Sequence, residues 1–124
     1  MIAHSSMNSD STTIDENAAL AALNGDRKLL CELAQIFVED APILLDEIDA
    51  ALAANQVDVA RRVVHSLRGL SATFYASPAT EIAKRLEEAA SLGQIDVLRN
   101  GGVARLKVAI LELTDRLRVA GLAN

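Results

Sequence analysis

His65 is the residue whose type and neighbours most clearly suggest chemistry in this chain. Around neutral pH, a large fraction of an exposed imidazole is uncharged and presents a nitrogen lone pair, so it can be a nucleophile. On a helix, Arg61 and Arg62 would lie one turn before His65, and Arg68 would lie one turn after it. The local field is therefore positive on an otherwise acidic protein. An ordinary solvated face can carry the same residue types, so the pattern alone leaves both interpretations open.

The helix that carries His65 is expected over residues 56–74. At about 100° per residue, its apolar side chains gather on one face centred on Leu67. That face comprises Ala60, Val63, Val64, Leu67, Leu70, Ser71 and Phe74. His65 lies roughly 160° from the centre of this face. We therefore expect an exposed imidazole and not a buried core histidine.

Gly69 lies four residues after His65, in the middle of the same helix. A glycine there should cost roughly 0.5 to 1 kcal/mol relative to alanine. The missing side chain would let the backbone or active-site loop of another protein approach the imidazole closely. A harmless surface glycine is the alternative.

The remaining helices follow from the spacing of apolar residues and from helix-ending residues. A short helix beginning near Ile14 should end at Asn24-Gly25. Asp26 can then cap a long helix, in which Pro42 predicts a kink near Asp40 or a break. The apolar positions of this long helix are Leu30, Leu33, Phe37, Leu44, Ile48 and Leu52.

Two further helices are expected towards the end of the chain. One should cover residues 78–92, with Pro78 as a favourable first residue. The last shows apolar residues three and four apart at Val103, Leu106, Ile110, Leu113 and Leu117. Residues 95–100, before Gly101-Gly102, are either a separate short turn or the frayed start of the last helix.

The composition supports an all-α fold. Of 124 residues, 51% are hydrophobic and only 2% aromatic, and no hairpin pattern occurs. We predict an antiparallel up-and-down four-helix bundle with an additional short N-terminal helix. Residues 14–120 would form this domain, residues 1–13, which include His4, a flexible polar tail, and residues 121–124 a C-terminal tail.

Charge and motifs exclude several classes of function. A net charge of −5 argues against binding to nucleic acid or to anionic membranes. The single Cys31 and the absence of a long apolar stretch or leader suggest a cytoplasmic protein. No P-loop, glycine-rich nucleotide motif or metal-ligand spacing occurs, so we expect neither an autonomous enzyme nor a cofactor-binding or metal site in this chain.

Residues 65–71, HSLRGLS, resemble the signature of the histidine phosphotransfer (HPt) domain family. In that signature, histidine precedes a variable residue, an aliphatic one, Lys or Arg, and Gly, with a small residue near the next turn. Gly25-Asp26, the FVE segment at 37–39 followed by Pro42, and Leu86-Glu87 resemble further landmarks over about residues 14 to 117. Where the family often has glycine before alanine, this chain has Tyr75 before Ala76. The resemblance is therefore weakest for the end of this helix and for the partner surface near it.

The resemblance implies a phosphorelay function. His65 would take a phosphoryl group from a receiver-domain aspartyl phosphate and pass it to a response-regulator aspartate, without hydrolysis. Arg68 would stabilise phosphoryl charge, Gly69 would give the partner access, and Glu87 could orient the imidazole. The partners would be receiver domains of response regulators or hybrid histidine kinases, each holding a divalent metal, expected to be Mg, while this chain would need none. We expect a monomer; the alternative is a helical adaptor or dimerisation bundle without phosphorylation.

Overall fold

The computed structural model describes residues 13–124, and every regular element in this range is helical. The helices are α1 (Glu16–Ala22), α2 (Arg27–Ala53), α3 (Val57–Thr73), α4 (Ser77–Ser91), α5 (Ile95–Val97) and α6 (Val103–Val119). Helices α2, α3, α4 and α6 form an antiparallel up-and-down bundle, and α1 is the additional short N-terminal helix. The predicted fold class is therefore confirmed. Residues 1–12 of the predicted tail, including His4, lie outside the described residues.

The predicted end of the first helix and the predicted beginning of the second are confirmed. The left-handed backbone of Gly25, with φ +79°, ends α1, and its amide donates to the Leu20 carbonyl. The Asp26 side chain accepts a hydrogen bond of 3.0 Å from the Leu29 amide and begins α2. Helix α2 then continues through Pro42, so the predicted alternative of a break there is wrong. Buried residues on both sides of Pro42 hold the two halves of α2 against the same core.

The segment between α4 and α6 is a separate short turn, as one of the two alternatives predicted. Helix α5 is followed by a kink over Leu98–Gly102, in which Gly101 has φ +100°. A Cβ atom on Gly102 would overlap the Val97 carbonyl oxygen and lie 2.6 Å from Leu86 Cδ2. Both glycines are thus required by geometry: one by its left-handed backbone, the other by the lack of space.

The core is built mainly from aliphatic side chains between the four long helices. Phe37 of α2 and Phe74 at the end of α3 meet edge to face, with their ring centroids 5.7 Å apart. Leu122 is also buried, so the core includes a residue from the segment 121–124 that was predicted as a tail. In the described range, no helix is both long enough and apolar enough to span a membrane.

The predicted apolar face of α3 is confirmed. Leu67, at its centre, is completely buried, and Leu70 at its edge is partly buried. The other predicted members of the face, Ala60, Val63, Val64, Ser71 and Phe74, are buried as well. Because α3 packs against α2 on one side and α4 on the other, the opposite face of α3 is left to solvent. His65 lies on this solvent-facing side of α3.

Candidate functional site

His65 lies on the solvent side of α3, as predicted. Its side chain is 66% exposed, although the neighbouring residues Val64 and Leu67 are completely buried. This contrast follows from the helical period, which turns positions 64 and 67 towards the core and position 65 away from it. The imidazole is therefore accessible to another protein.

Glu87 of α4 holds the imidazole in one orientation. Its Oε2 atom lies 2.9 Å from Nδ1 of His65. A carboxylate can only accept hydrogen bonds, so Nδ1 is the protonated donor in this contact. In the neutral ring the lone pair then belongs to Nε2, the nitrogen farther from the backbone. The predicted contact between Glu87 and His65 is present.

Arg68 approaches the same carboxylate from the next turn of α3. Its guanidinium donates to Oε1 of Glu87 over 3.0 Å, so each carboxylate oxygen has one partner. The Arg68 side chain remains 37% exposed, and its other N–H groups have no acceptor among residues 13–124. These donors are available to an anion that binds beside His65.

The electrostatics of the site favour an ionised Glu87. Burial raises the pKa of the Glu87 carboxyl, since its side chain is only 16% exposed. Hydrogen bonds from Arg68 and His65, together with the charges of these groups, outweigh burial and hold that pKa below its usual value. Glu87 is therefore a carboxylate around neutral pH and can balance positive charge on its two partners.

The surface around the imidazole is open and basic. Arg61, Arg62, His65, Ser66 and Glu87 line a shallow depression between α3 and α4. A protein that approaches this depression meets two arginine side chains beside the histidine. An acidic surface would be attracted there.

Gly69 leaves the surface beside His65 unobstructed. A Cβ atom built on Gly69 would have no heavy atom within 4 Å, so the helix itself does not require glycine here. Its backbone is also ordinary helix, without a positive φ. The residue is exposed, which is consistent with the predicted access for a partner.

Tyr75, where the sequence departs from the family pattern, has a left-handed backbone with φ +53°. Glycine adopts this conformation without strain, which explains why glycine suits the position. The same conformation occurs at Asn24 and Asn55, which also follow helix ends, and asparagine tolerates it better than tyrosine. The chain thus keeps the helix end of the pattern while placing a 47% exposed tyrosine there.

Sequence reasoning missed the ion pair between Arg68 and Glu87. The only available signal was the placement of Glu87 at the edge of the apolar stripe of α4, facing α3. Sequence reasoning placed Ser71 on the buried face of α3 but did not predict that its hydroxyl oxygen would have no hydrogen-bond partner within the described residues. No group of three or more His, Cys, Asp or Glu side chains in residues 13–124 could hold a metal ion.

A comparison with family models matches residues 32–120 to the Hpt domain. Neither the curated proteins nor the solved structures contain a significant match. The matched range covers well over half of the chain and contains His65, Arg68, Gly69 and Glu87. Hpt domains are phosphocarrier modules, not autonomous enzymes, and they interact with receiver domains in two-component phosphorelays. The chain therefore belongs to the Hpt domain family and has a histidine phosphotransfer role in two-component signalling.

Proposed function

We propose that His65 is the residue that carries the phosphoryl group, bound at its Nε2 atom. The observation that supports this proposal best is the 2.9 Å contact of Nδ1 with Glu87 on a side chain that is 66% exposed. One ring nitrogen is held by the protein, and the other is left with its lone pair in solvent. A single fixed nucleophile is what an in-line transfer requires.

In the proposed reaction, Nε2 attacks the phosphorus of an aspartyl phosphate on a receiver domain. The N–P bond forms as the acyl O–P bond breaks, and the electron pair of that bond goes to the aspartate carboxylate. The Nδ1 proton stays on the ring, which becomes a cation once Nε2 is phosphorylated. Glu87 stabilises this cation through the hydrogen bond that it already accepts. Transfer to a response-regulator aspartate is the reverse reaction.

Arg68 is proposed to stabilise the charge on the phosphoryl oxygens. It lies one turn from His65, and its guanidinium retains donors that Glu87 does not use. A planar guanidinium can direct two N–H groups at two oxygens of a phosphoryl group. We expect a divalent metal, Mg, in the acidic pocket of the receiver domain to supply the remaining charge, while this chain binds no metal or cofactor.

Gly69 is proposed to let the receiver domain approach. Because the space above its Cα is empty, the partner's loops can reach the imidazole without displacing a side chain. The partners in this proposal are receiver domains of response regulators or of hybrid histidine kinases, and the chain acts as a monomer. It carries the phosphoryl group without hydrolysing ATP.

The test is transfer of labelled phosphate from a phosphorylated receiver domain to the full chain. The wild type should become labelled, and His65→Gln should not, although its folding should be unchanged because the side chain is exposed. The label should be acid-labile and base-stable, as a phosphoramidate is. Equal labelling of both proteins would contradict the assignment of His65.

A further inference from the structure

Helices α4 and α6 leave an apolar cleft between them, which we call the α4–α6 groove. Its larger cavity has a volume of about 410 Å³. Three alanines contribute to the walls, and their small side chains leave the space between the two helices open. The apolar lining is Pro78, Ala79, Ile82, Ala104, Val108 and Ala109.

A second cavity, of about 330 Å³, continues the groove towards the kink that precedes α6. Ile82 and Arg105 line both cavities, so the two are adjacent. Arg85 and Asn100 add polar side chains to the second cavity. Pro78 and Arg85, which line opposite ends of the groove, are seven residues apart on α4. The groove therefore extends over about 10 Å of this helix.

The two ends of the groove carry opposite charges. Arg85 and Arg105 are exposed and form no ion pair within residues 13–124. Glu112 lies two turns beyond Arg105 on α6 and lines the other end of the larger cavity. Because the unpaired guanidinium groups are at one end only, an anionic group is attracted to that end.

We propose that the α4–α6 groove binds a small aliphatic carboxylate. Its alkyl chain would lie in the larger cavity, and its carboxylate would lie between Arg85 and Arg105. Small-molecule sites are mostly apolar cavities of roughly 300 to 1,000 Å³ with a few polar groups, and the space between the helices of a bundle is one of their usual places. Guanidinium groups bind carboxylates through charge-assisted hydrogen bonds.

The distribution of polar groups decides which small molecule fits. A nucleotide or a sugar phosphate is polar along its whole length, and burying its hydroxyl groups against alanine and valine would be unfavourable. A neutral hydrocarbon would fill the larger cavity but gain nothing from the two arginines. A molecule with one anionic end and one alkyl chain matches both parts of the groove.

The groove is separate from the site around His65. Arg85 precedes Glu87 by two residues, so the two side chains lie about 160° apart around α4. Among the described residues, none lines both the groove and the depression beside His65. This inference therefore does not depend on phosphotransfer at His65.

The test titrates decanoate, below its micelle concentration, into the full chain and follows the backbone amides by ¹H–¹⁵N NMR. Decanoate should shift the signals of α4 and α6 around the groove. The Arg85→Gln/Arg105→Gln variant should bind it about tenfold more weakly than the wild type does. The matched control is Lys28→Gln/Lys84→Gln, which removes two exposed cations outside the groove and should bind as the wild type does.

Two further probes separate the contributions of charge and chain. Decanol has the chain without the charge, and acetate has the charge without the chain. Each should bind the wild type about tenfold more weakly than decanoate or worse. Circular dichroism establishes that each variant is folded. Arg85→Gln/Arg105→Gln should accept phosphate from a receiver domain as the wild type does, so a failure of phosphotransfer would leave this test unaffected.

Several results would overturn the proposal. Equal binding of decanoate by the arginine and lysine variants would do so, as would equal binding of decanol and decanoate by the wild type, or shifts spread over all helices. A dimer in sedimentation that decanoate dissociates would identify a second copy as the occupant instead. Thr13 also lines the larger cavity. Tighter binding of decanoate by Ile2→Ser/Met7→Ser would therefore identify the preceding residues of this chain as the occupant.

Discussion

Replacing Glu87 should lower the rate of phosphotransfer markedly but the stability of the fold only slightly. The carboxylate accepts one hydrogen bond from His65 and one from Arg68, whose side chains are 66% and 37% exposed. Interactions with partners this exposed contribute little to stability, so Glu87→Ala should lower the free energy of unfolding by about 0.5 to 1 kcal/mol. A hydrogen bond to a charged group that fixes a nucleophile is worth about 1.5 kcal/mol, which corresponds to roughly a tenfold slower transfer.

The assay for Glu87→Ala combines the rate of label transfer from a phosphorylated receiver domain with ¹⁵N NMR of the imidazole. With Glu87 present, the neutral ring should carry its proton on Nδ1, and without the carboxylate the proton should redistribute towards Nε2. Glu87→Gln should be intermediate, because the amide presents an acceptor oxygen to one of the two donors and an NH2 group, which cannot accept, to the other. Glu88→Gln is the matched control, since Glu88 is exposed and forms no ion pair among the described residues.

The contribution of Glu87 to the stability of the protein should also depend on pH. Because the folded-state pKa of Glu87 lies below its usual value of 4.5, its contribution to stability is fully present above that pH. The contribution is lost as the pH falls through the folded-state value. The difference in Tm between wild type and Glu87→Gln should therefore shrink below about pH 4.5. An unchanged transfer rate and an unchanged ¹⁵N spectrum in Glu87→Ala would refute the positioning role.

Substitutions at three further positions test separate parts of the mechanism and of the packing. Arg68→Ala should slow transfer about tenfold with little change in Tm, and its control is Arg105→Ala, at an exposed arginine of α6 outside the depression; equal rates for both would contradict the role of Arg68. Gly69→Ala should raise the free energy of unfolding by about 0.5 to 1 kcal/mol, because there is space for the Cβ, whereas Gly69→Leu should slow transfer; a Leu variant with normal transfer would exclude the access role. Ser71→Ala should be stabilising by about 1 kcal/mol, measured by urea unfolding, since the buried hydroxyl has no partner among the described residues; a destabilised variant would contradict this.

Features of the site that depend on a single helix could be predicted from the sequence. The exposure of His65 follows from the apolar period of α3 alone, and the beginning of α2 follows from the capping preference of Asp26. The edge position of Glu87 on α4 indicated that it could reach α3. Each of these is a local property of a few turns of chain.

Features that depend on how helices pack against each other could not be predicted. The pairing of Arg68 with Glu87 requires the register between α3 and α4, which local periodicity does not contain. The continuity of α2 through Pro42 depends on burial of both halves in one core, which outweighs the local effect of proline. The need for Gly102 arises from the closeness of the Val97 carbonyl oxygen and Leu86, and Leu122 is buried through contacts with the bundle.

The most direct test of the account is to locate the phosphoryl group on the phosphorylated chain. The full chain is charged by a phosphorylated receiver domain and studied by heteronuclear NMR, in which coupling to phosphorus identifies the modified nitrogen. Phosphorus is expected on Nε2 of His65, with Nδ1 still protonated and hydrogen-bonded to Glu87. Phosphorus on Nδ1, or on any other residue, would contradict it.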